Sequence, residues 1–379
     1  MTSACDSPAS SLALSCDDAP SLARYNLLAL EYVPTKPLSV RQNRRDLARD
    51  NPQLGGDGRA ENEDASVADL LSQRPAFFRR GIAIVVYNKL LVSVFASVRS
   101  LRELGCSLPI ELWYRPSELP PTHAVLQALV RDYDVFLRVV EDDRATKYFS
   151  KVFAVAYSAF DQVLFLDADN YPVRDPEYLF ESRVFNATGA VFWPDFWRPS
   201  RTTFDVTRDS FVWELLGVEF VDMFEQESGQ LLVDRRRHTR ALTALLHYAL
   251  SSPNYIQELK LLWGDKDLFR MAWLRTQSPF HMIERPAGSA GQMTSLWTHI
   301  QQLRRSTELR HYAPGEHKDR ATFPDLNTCW GKFADFAPAY SVLPIAAFPF
   351  DGLEDRLIAF VEEAEPLVCT WPFFCSIWY

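Results

Sequence analysis

The residues Asp167-Ala168-Asp169-Asn170 close the apolar run Gln162-Val163-Leu164-Phe165-Leu166 and lead into Tyr171 and Pro172. Two carboxylates one residue apart at the tip of a buried segment admit two kinds of chemistry. They can hold a hard divalent cation, since oxygen ligands suit Mg²⁺ or Mn²⁺. They can also simply shape a turn, where Asp and Asn are favoured residues. At about 4 Å and an effective dielectric near 20, the two charges repel by roughly 4 kcal/mol, a cost that a cation removes. An isolated D-x-D is more often a turn than a site, so the elements that deliver it must decide.

Those elements alternate. The runs at 81–87, 108–114, 134–140 and 162–168 are apolar and rich in β-branched or aromatic residues, and read as buried strands. Between them, 89–105 (ending in Gly105), 123–133 and 147–160 carry helical spacing, with Phe149, Val152, Phe153, Ala156 and Phe160 on one face. Repeated β-α units of this kind predict an α/β domain: a mainly parallel sheet with helices on both faces. Asp167 and Asp169 then fall at the carboxyl end of the fourth strand, where open parallel sheets bind ligands. Further strands are expected at 188–197, 228–234 and 281–286, with helices at 238–252 and 264–276, the last with Asp265 placed to cap it.

The placement discriminates among carboxylate motifs. A calcium-binding EF-hand loop fails, because Pro172 stands where the loop needs Gly and Tyr178 where it needs Glu. A phosphatase of the haloacid-dehalogenase type, with Asp167 as nucleophile, is disfavoured by Tyr171 and by the three β-α units that precede the motif. The third option is a nucleotide-sugar transferase, in which the pair holds a metal that bridges a sugar-nucleotide diphosphate, with the phosphatase the less favoured alternative. The balance of 49 acidic against 40 basic residues gives a net charge of −9, which argues against a general nucleic-acid binder.

Several blocks occur in an order that resembles the fungal-type Golgi α-mannosyltransferase family: GIAIVVYN, LRELGCSLPIELWY, SKVFAVAYSAFDQVLFLDADNYPVRDPEYLFES, ATGAVFWPDFW, EQESGQLLVDR and LLWGDKDLFRMAW. The resemblance covers about residues 80–290. It implies a GT-A fold, a retaining mechanism, Mn²⁺ (or Mg²⁺), a GDP-mannose donor and an oligomannose glycan or glycoprotein acceptor, in the Golgi. Carried over by residue, Asp167 and Asp169 are the metal pair, and Lys151 neutralises the donor diphosphate. Trp193, Pro194 and Asp195 shape the sugar pocket. Glu227, Ser228, Gly229 and Gln230 lie at the donor sugar, Gly229 admitting close backbone approach and Gln230 offering an amide. Asp265, Lys266 and Asp267 form a block at a helix start, with Asp265 a candidate for stabilising positive charge at the anomeric carbon. Asp265, Gln230 and Asp195 are thus the catalytic candidates. Taken on their own, Lys151 reads as a solvated helix residue and His247 as structural. A UDP-sugar transferase of the glycogenin-like type, or a catalytically impaired glycan-binding relative, are the alternatives.

The sequence departs from the family at its ends. Residues 291–379 lack the family's histidine block, and His299, His311 and His317 have no matching surroundings for a third metal ligand. The family's membrane anchor is not seen: the first twenty residues lack the features of a signal peptide, and no run of about 18 apolar residues occurs. Residues 1–76 read as poorly structured, apart from one short element at 22–33, the transferase domain as 77–290, and 291–379 as a divergent extension packed on it. The six cysteines include no C-x-x-C pair, and only Cys369 and Cys375 suggest a bridge.

Overall fold

The computed structural model describes residues 19–51, 79–195, 198, 206–284 and 352–368. Its first two elements correct the expectation of a mostly unstructured start: α1 (Ala19–Glu31) and α2 (Val40–Asp50) are both helical. In α1, Leu22, Tyr25 and Ala29 recur at helical spacing and are buried. The second helix is nearly all polar, which is why hydrophobic periodicity does not reveal it. It is started by Ser39, whose hydroxyl accepts from the Gln42 amide. It is then held by specific polar bonds: Asn43 donates to the Ser158 carbonyl at 3.1 Å, and Arg44 to the Ala159 carbonyl at 3.0 Å. Just beyond it, Asn51 exchanges two bonds with Leu137, at 2.9 and 2.8 Å.

The apolar runs fold as their spacing predicts: β1 (Arg80–Val85), α3 (Leu91–Glu103), β2 (Ile110–Tyr114), α4 (Ala124–Asp132), β3 (Val135–Val139), α5 (Phe149–Tyr157) and β4 (Gln162–Leu166). Next come α6 (Arg183–Thr188), β5 (Ala190–Pro194), α7 (Phe211–Leu216), β6 (Gln226–Asp234), α8 (Thr239–Leu250), α9 (Tyr255–Glu258), α10 (Leu268–Arg275), β7 (His281–Met282) and α11 (Leu353–Val368). The strands form one sheet in the order β3-β2-β1-β4-β6-β5-β7. All neighbouring pairs are parallel except those made by β6, which runs antiparallel to both β4 and β5. The chain therefore adds strands on one side of β1 as far as β3 and then crosses back to place β4 on the other. This reversal is the switch point at which doubly wound sheets leave a crevice.

Alternation along the strands divides the core between the two faces. Ala83, Phe165, Phe192 and Leu231 point into one layer with α1, α5, α8 and α10, while Ile82, Ile84, Leu164 and Leu232 point into the other with α3, α4 and α11. Every residue of α5 is buried, so it is a core helix and not an amphipathic surface one. Beyond residue 290, where the sequence pattern is weak, α11 buries Leu357, Phe360, Val361 and Ala364 and packs on α3. Among the described residues, no helix is long and apolar enough to cross a membrane.

Candidate active site at the switch point

The aspartate pair proves to be both turn and pocket wall. β4 ends at Leu166, and the Asn170 amide donates to the Asp167 carbonyl at 2.9 Å, closing a turn over 167–170. The Gly229 carbonyl of β6 receives both the Asp167 amide (2.9 Å) and the Asn170 side chain (3.0 Å), so the antiparallel ladder fixes the turn. Asp167 and Asp169 thereby line an open pocket of about 440 Å³ at the carboxyl ends of β1 to β4.

Lys151 is not solvated. It lies inside α5, 7% exposed, with its ammonium 3.1 Å from each oxygen of Asp167 and 3.1 Å from Asp265 Oδ2. It also donates to the Ser228 carbonyl at 3.0 Å and hydroxyl at 3.2 Å. Burial opposes its charge, but Asp167 and Asp265 outweigh it and hold the ammonium protonated. Asp167 is pushed up to about 6, first by burial and then by Asp265 and Asp169, against the pull of Lys151. Asp167 and Asp265 thus share one ammonium, and Asp169 adds a further carboxylate to the pocket wall. That excess of negative charge on hard oxygen donors fits a divalent cation at Asp167 and Asp169. Gly229 fits as well: a Cβ there would stand 3.3 Å from Asp167 Oδ2 and 3.1 Å from Glu227 Oε1, which already accepts from the Gly229 amide at 2.7 Å. Among the described residues no group of three or more His, Cys, Asp or Glu could hold a metal by itself. His299, His311 and His317 lie outside the described residues, as do Cys369 and Cys375.

The GDKD block behaves differently from the sequence expectation. Asp265 does not cap a helix, because α10 begins only at Leu268 and the Asp265 carboxylate is taken by Lys151. Asp267 occupies the cap position in a left-handed conformation (φ 68°) without a side-chain cap bond. Its carboxylate instead accepts from the Gln226 amide (2.9 Å) and pairs with Arg270 (2.7 Å). Lys266 is buried among Glu225, Asp195 (3.3 Å) and Asp267 (3.5 Å). Lys266 and Asp267 are therefore committed to an internal ion cluster that pins the start of β6 to α10. Asp195 is joined to the same cluster, and its amide donates to the Glu225 carbonyl at 2.8 Å.

The remaining expected residues sit along the β5–β6 edge. Trp193 is half-buried and lies opposite Glu227 across an irregularity in register between Phe192 and Trp193, with Pro194 opposite Gln226. Gln230 is half-buried opposite Leu166, one residue before Asp167 on the neighbouring strand. Ser228 is buried and holds Lys151, while the Glu227 side chain is exposed. His247 is structural, as its helix suggests: Nε2 lies 2.8 Å from the Tyr25 carbonyl and Nδ1 2.8 Å from Ser251 Oγ, and burial lowers it to about 4.

The sequence reading passes over the other half of the pocket. Tyr87, Arg115, Glu118, Lys147 and Tyr148 all line it. Each follows the carboxyl end of one of the first three strands, so the rule that places ligands at strand ends would find them. Tyr148 also packs against Gly264 of the GDKD loop, where a Cβ would come within 2.9 Å of its ring.

A family model described as "Mannosyltransferase putative" matches residues 79–209 and 220–317, well over half of the chain. Alpha-1,2-mannosyltransferase MNN5 of Saccharomyces cerevisiae is 27% identical over 272 residues, which cover 56% of this chain and 46% of that protein. Alpha-1,2-mannosyltransferase MNN21 of Candida albicans is 25% identical over 264 residues, covering 56% and 40%. The chain thus spans about half the length, or less, of these curated relatives. Among solved structures, the galactosyltransferase LgtC in complex with donor and acceptor sugar analogs overlaps with a TM-score of 0.36 at 11% identity, over 70% of this chain and 97% of that one. The matched segments contain β1 to β7 and the whole Lys151–Asp167–Asp169 pocket, and the chain belongs to this mannosyltransferase family.

Proposed function

We propose that the chain is a metal-dependent retaining α-mannosyltransferase that moves mannose from GDP-mannose to an oligomannose glycan or glycoprotein acceptor. One observation carries the reading: in a member of a mannosyltransferase family, the buried Lys151 ammonium grips Asp167 at the floor of an open pocket at the strand ends. A Mn²⁺ or Mg²⁺ ion held by Asp167 and Asp169 would supply the Lewis-acid charge that stabilises a departing diphosphate.

The chain's own residues do the rest. Lys151 fixes the Asp167 carboxylate and lends positive potential to the diphosphate end of the pocket. Asp265, 3.1 Å from Lys151 Nζ, keeps that ammonium charged and in place. Its negative charge also favours an oxocarbenium-like centre nearby. Gln230 presents an amide beside Asp167 for a sugar hydroxyl or the leaving oxygen. Gly229 lets the sugar approach the backbone, and Trp193 offers a ring face. The proposed setting is the secretory pathway, where glycan acceptors are found.

Two measurements test this. Melting curves with GDP or UDP, each with MnCl₂, should show stabilisation by GDP, and stabilisation by UDP alone would overturn the donor assignment. Asp167→Ala should abolish metal-dependent mannose transfer from GDP-mannose, and full turnover in that variant would sink the site.

A further inference from the structure

We infer that Glu118 reads the donor base and selects guanine, an inference that rests on the GDP-mannose reading above. The pocket extends from Asp167 and Asp169 on β4 across β1 to the ends of β2 and β3, and not the other way. With strands about 4.8 Å apart, Glu118 beyond β2 stands roughly 10 Å across the sheet from the carboxylate pair. A nucleoside diphosphate with its phosphates at Lys151 therefore runs its ribose past Tyr87 and Tyr148 and brings its base to the far end. There Val86, Leu90, Tyr114 and Val140 line the pocket with apolar surface, and Arg115 and Glu118 supply polar groups.

Of these two, Arg115 is already spent. It is 12% exposed and donates to the carbonyls of Asp142 (3.1 Å) and Ala145 (3.0 Å). Its Nε lies 3.3 Å from Glu118 Oε1 and so orients that carboxylate. The Glu118 backbone is fixed from both sides: its amide donates to the Arg115 carbonyl at 2.9 Å, and its carbonyl accepts from the Asn88 side chain at 2.6 Å. What remains is an oriented carboxylate, 49% exposed, on a fixed turn.

A carboxylate only accepts hydrogen bonds, and its two oxygens suit a pair of adjacent donors. Guanine alone among the common bases has that pair, N1–H beside the 2-amino group. Uracil offers a single N3–H between two carbonyl oxygens, which the carboxylate repels. Adenine presents an acceptor at N1. Hypoxanthine keeps N1–H but lacks the amino group, which makes it a one-bond control. A site built for a hydrogen bond rejects analogues that lack the partner.

The test is calorimetric titration with MnCl₂ present, using GDP, IDP and UDP against the wild-type chain and against Glu118→Ala and Glu118→Gln. Wild type should bind GDP about tenfold more tightly than IDP, the worth of one hydrogen bond to a partly exposed charged group. In Glu118→Ala that ratio should fall toward one, with UDP binding unchanged or tighter, and Glu118→Gln should lie between. An unchanged GDP-to-IDP ratio in Glu118→Ala overturns the inference and leaves the donor reading standing. Wild-type preference for UDP, or no binding by any of the three, overturns the donor reading and the inference with it. Melting curves without nucleotide confirm that the variants fold, as expected for a side chain on an exposed turn.

Discussion

Replacing Lys151 by methionine tests the electrostatics of the site without reference to turnover. The substitution keeps most of the side-chain volume and removes the cation that, among the described residues, pairs with both Asp167 and Asp265. Asp265 is only 4% exposed, so its carboxylate would be left charged and unpaired in the interior. Breaking a buried pair in this way costs about 3–5 kcal/mol. For a chain of this size that lowers the melting midpoint by roughly 4–6 °C. The loss should depend on pH, and the sign is fixed. In the folded protein Asp167 is raised to about 6 from an ordinary 3.8, so it favours folding at low pH and loses that advantage as pH rises to about 6. Removing Lys151 takes away the opposing attraction, raises Asp167 further and extends the loss to higher pH. Lys151→Met should therefore be much more destabilising at pH 8 than at pH 5, as read by urea unfolding at both. Adding Asp265→Asn should recover a large part of the loss, in a double-mutant cycle. A midpoint within 2 °C of wild type at pH 8, or an equal loss at both pH values, would refute the buried-pair account.

Two further outcomes follow from the same geometry. Binding of Mn²⁺ requires the ionised form of Asp167, so the affinity measured by titration should level off above pH 6 and fall about tenfold per unit below it. A flat profile from pH 5 to 7 would mean that Asp167 is not a ligand. Gly229→Ala should leave the melting curve nearly unchanged. Its methyl group, 3.3 Å from Asp167 Oδ2, should displace the carboxylate by a few tenths of an ångström and weaken Mn²⁺ binding about tenfold. Wild-type metal affinity in that variant would show that the Gly229 cradle is not needed.

What the sequence reveals tracks the physical signal available. Strands β1 to β4 are apolar on both faces and their connecting helices are periodic, so position and class are readable, and Asp167 falls at a strand end by simple counting. The antiparallel course of β6 is not readable, because its buried apolar stretch Leu231–Val233 looks the same in either direction. Helix α2 is hidden for the opposite reason: it is held by Asn43, Arg44 and Asn51 bonding to distant carbonyls, and those interactions have no period. In the GDKD block the residue types are legible but their partners are not. Asp265 and Asp267 both look like caps until the fold brings Lys151 to one and Arg270 to the other. The base end of the pocket is missed because Tyr87, the Arg115–Glu118 turn and Tyr148 are separated in the chain and brought together only by the sheet.

The bond between Asn51 and Leu137 bears on how this protein can be handled. Strand β3 is the last in the sheet on its side, and a bare outer strand is a template on which other chains can pair and aggregate. The Asn51 amide imitates a peptide group, accepting from the Leu137 amide and donating to its carbonyl, and Asp50 receives the Val139 amide at 3.4 Å. Two side chains thus occupy hydrogen-bonding positions that an incoming strand would use. A fragment trimmed to begin where the family match begins, at residue 79, would retain every described strand and the whole pocket, yet lose this seal and acquire a sticky border. Preparations for solution work should keep residues 40–51, and the solubility of the trimmed fragment would measure how much the seal is worth.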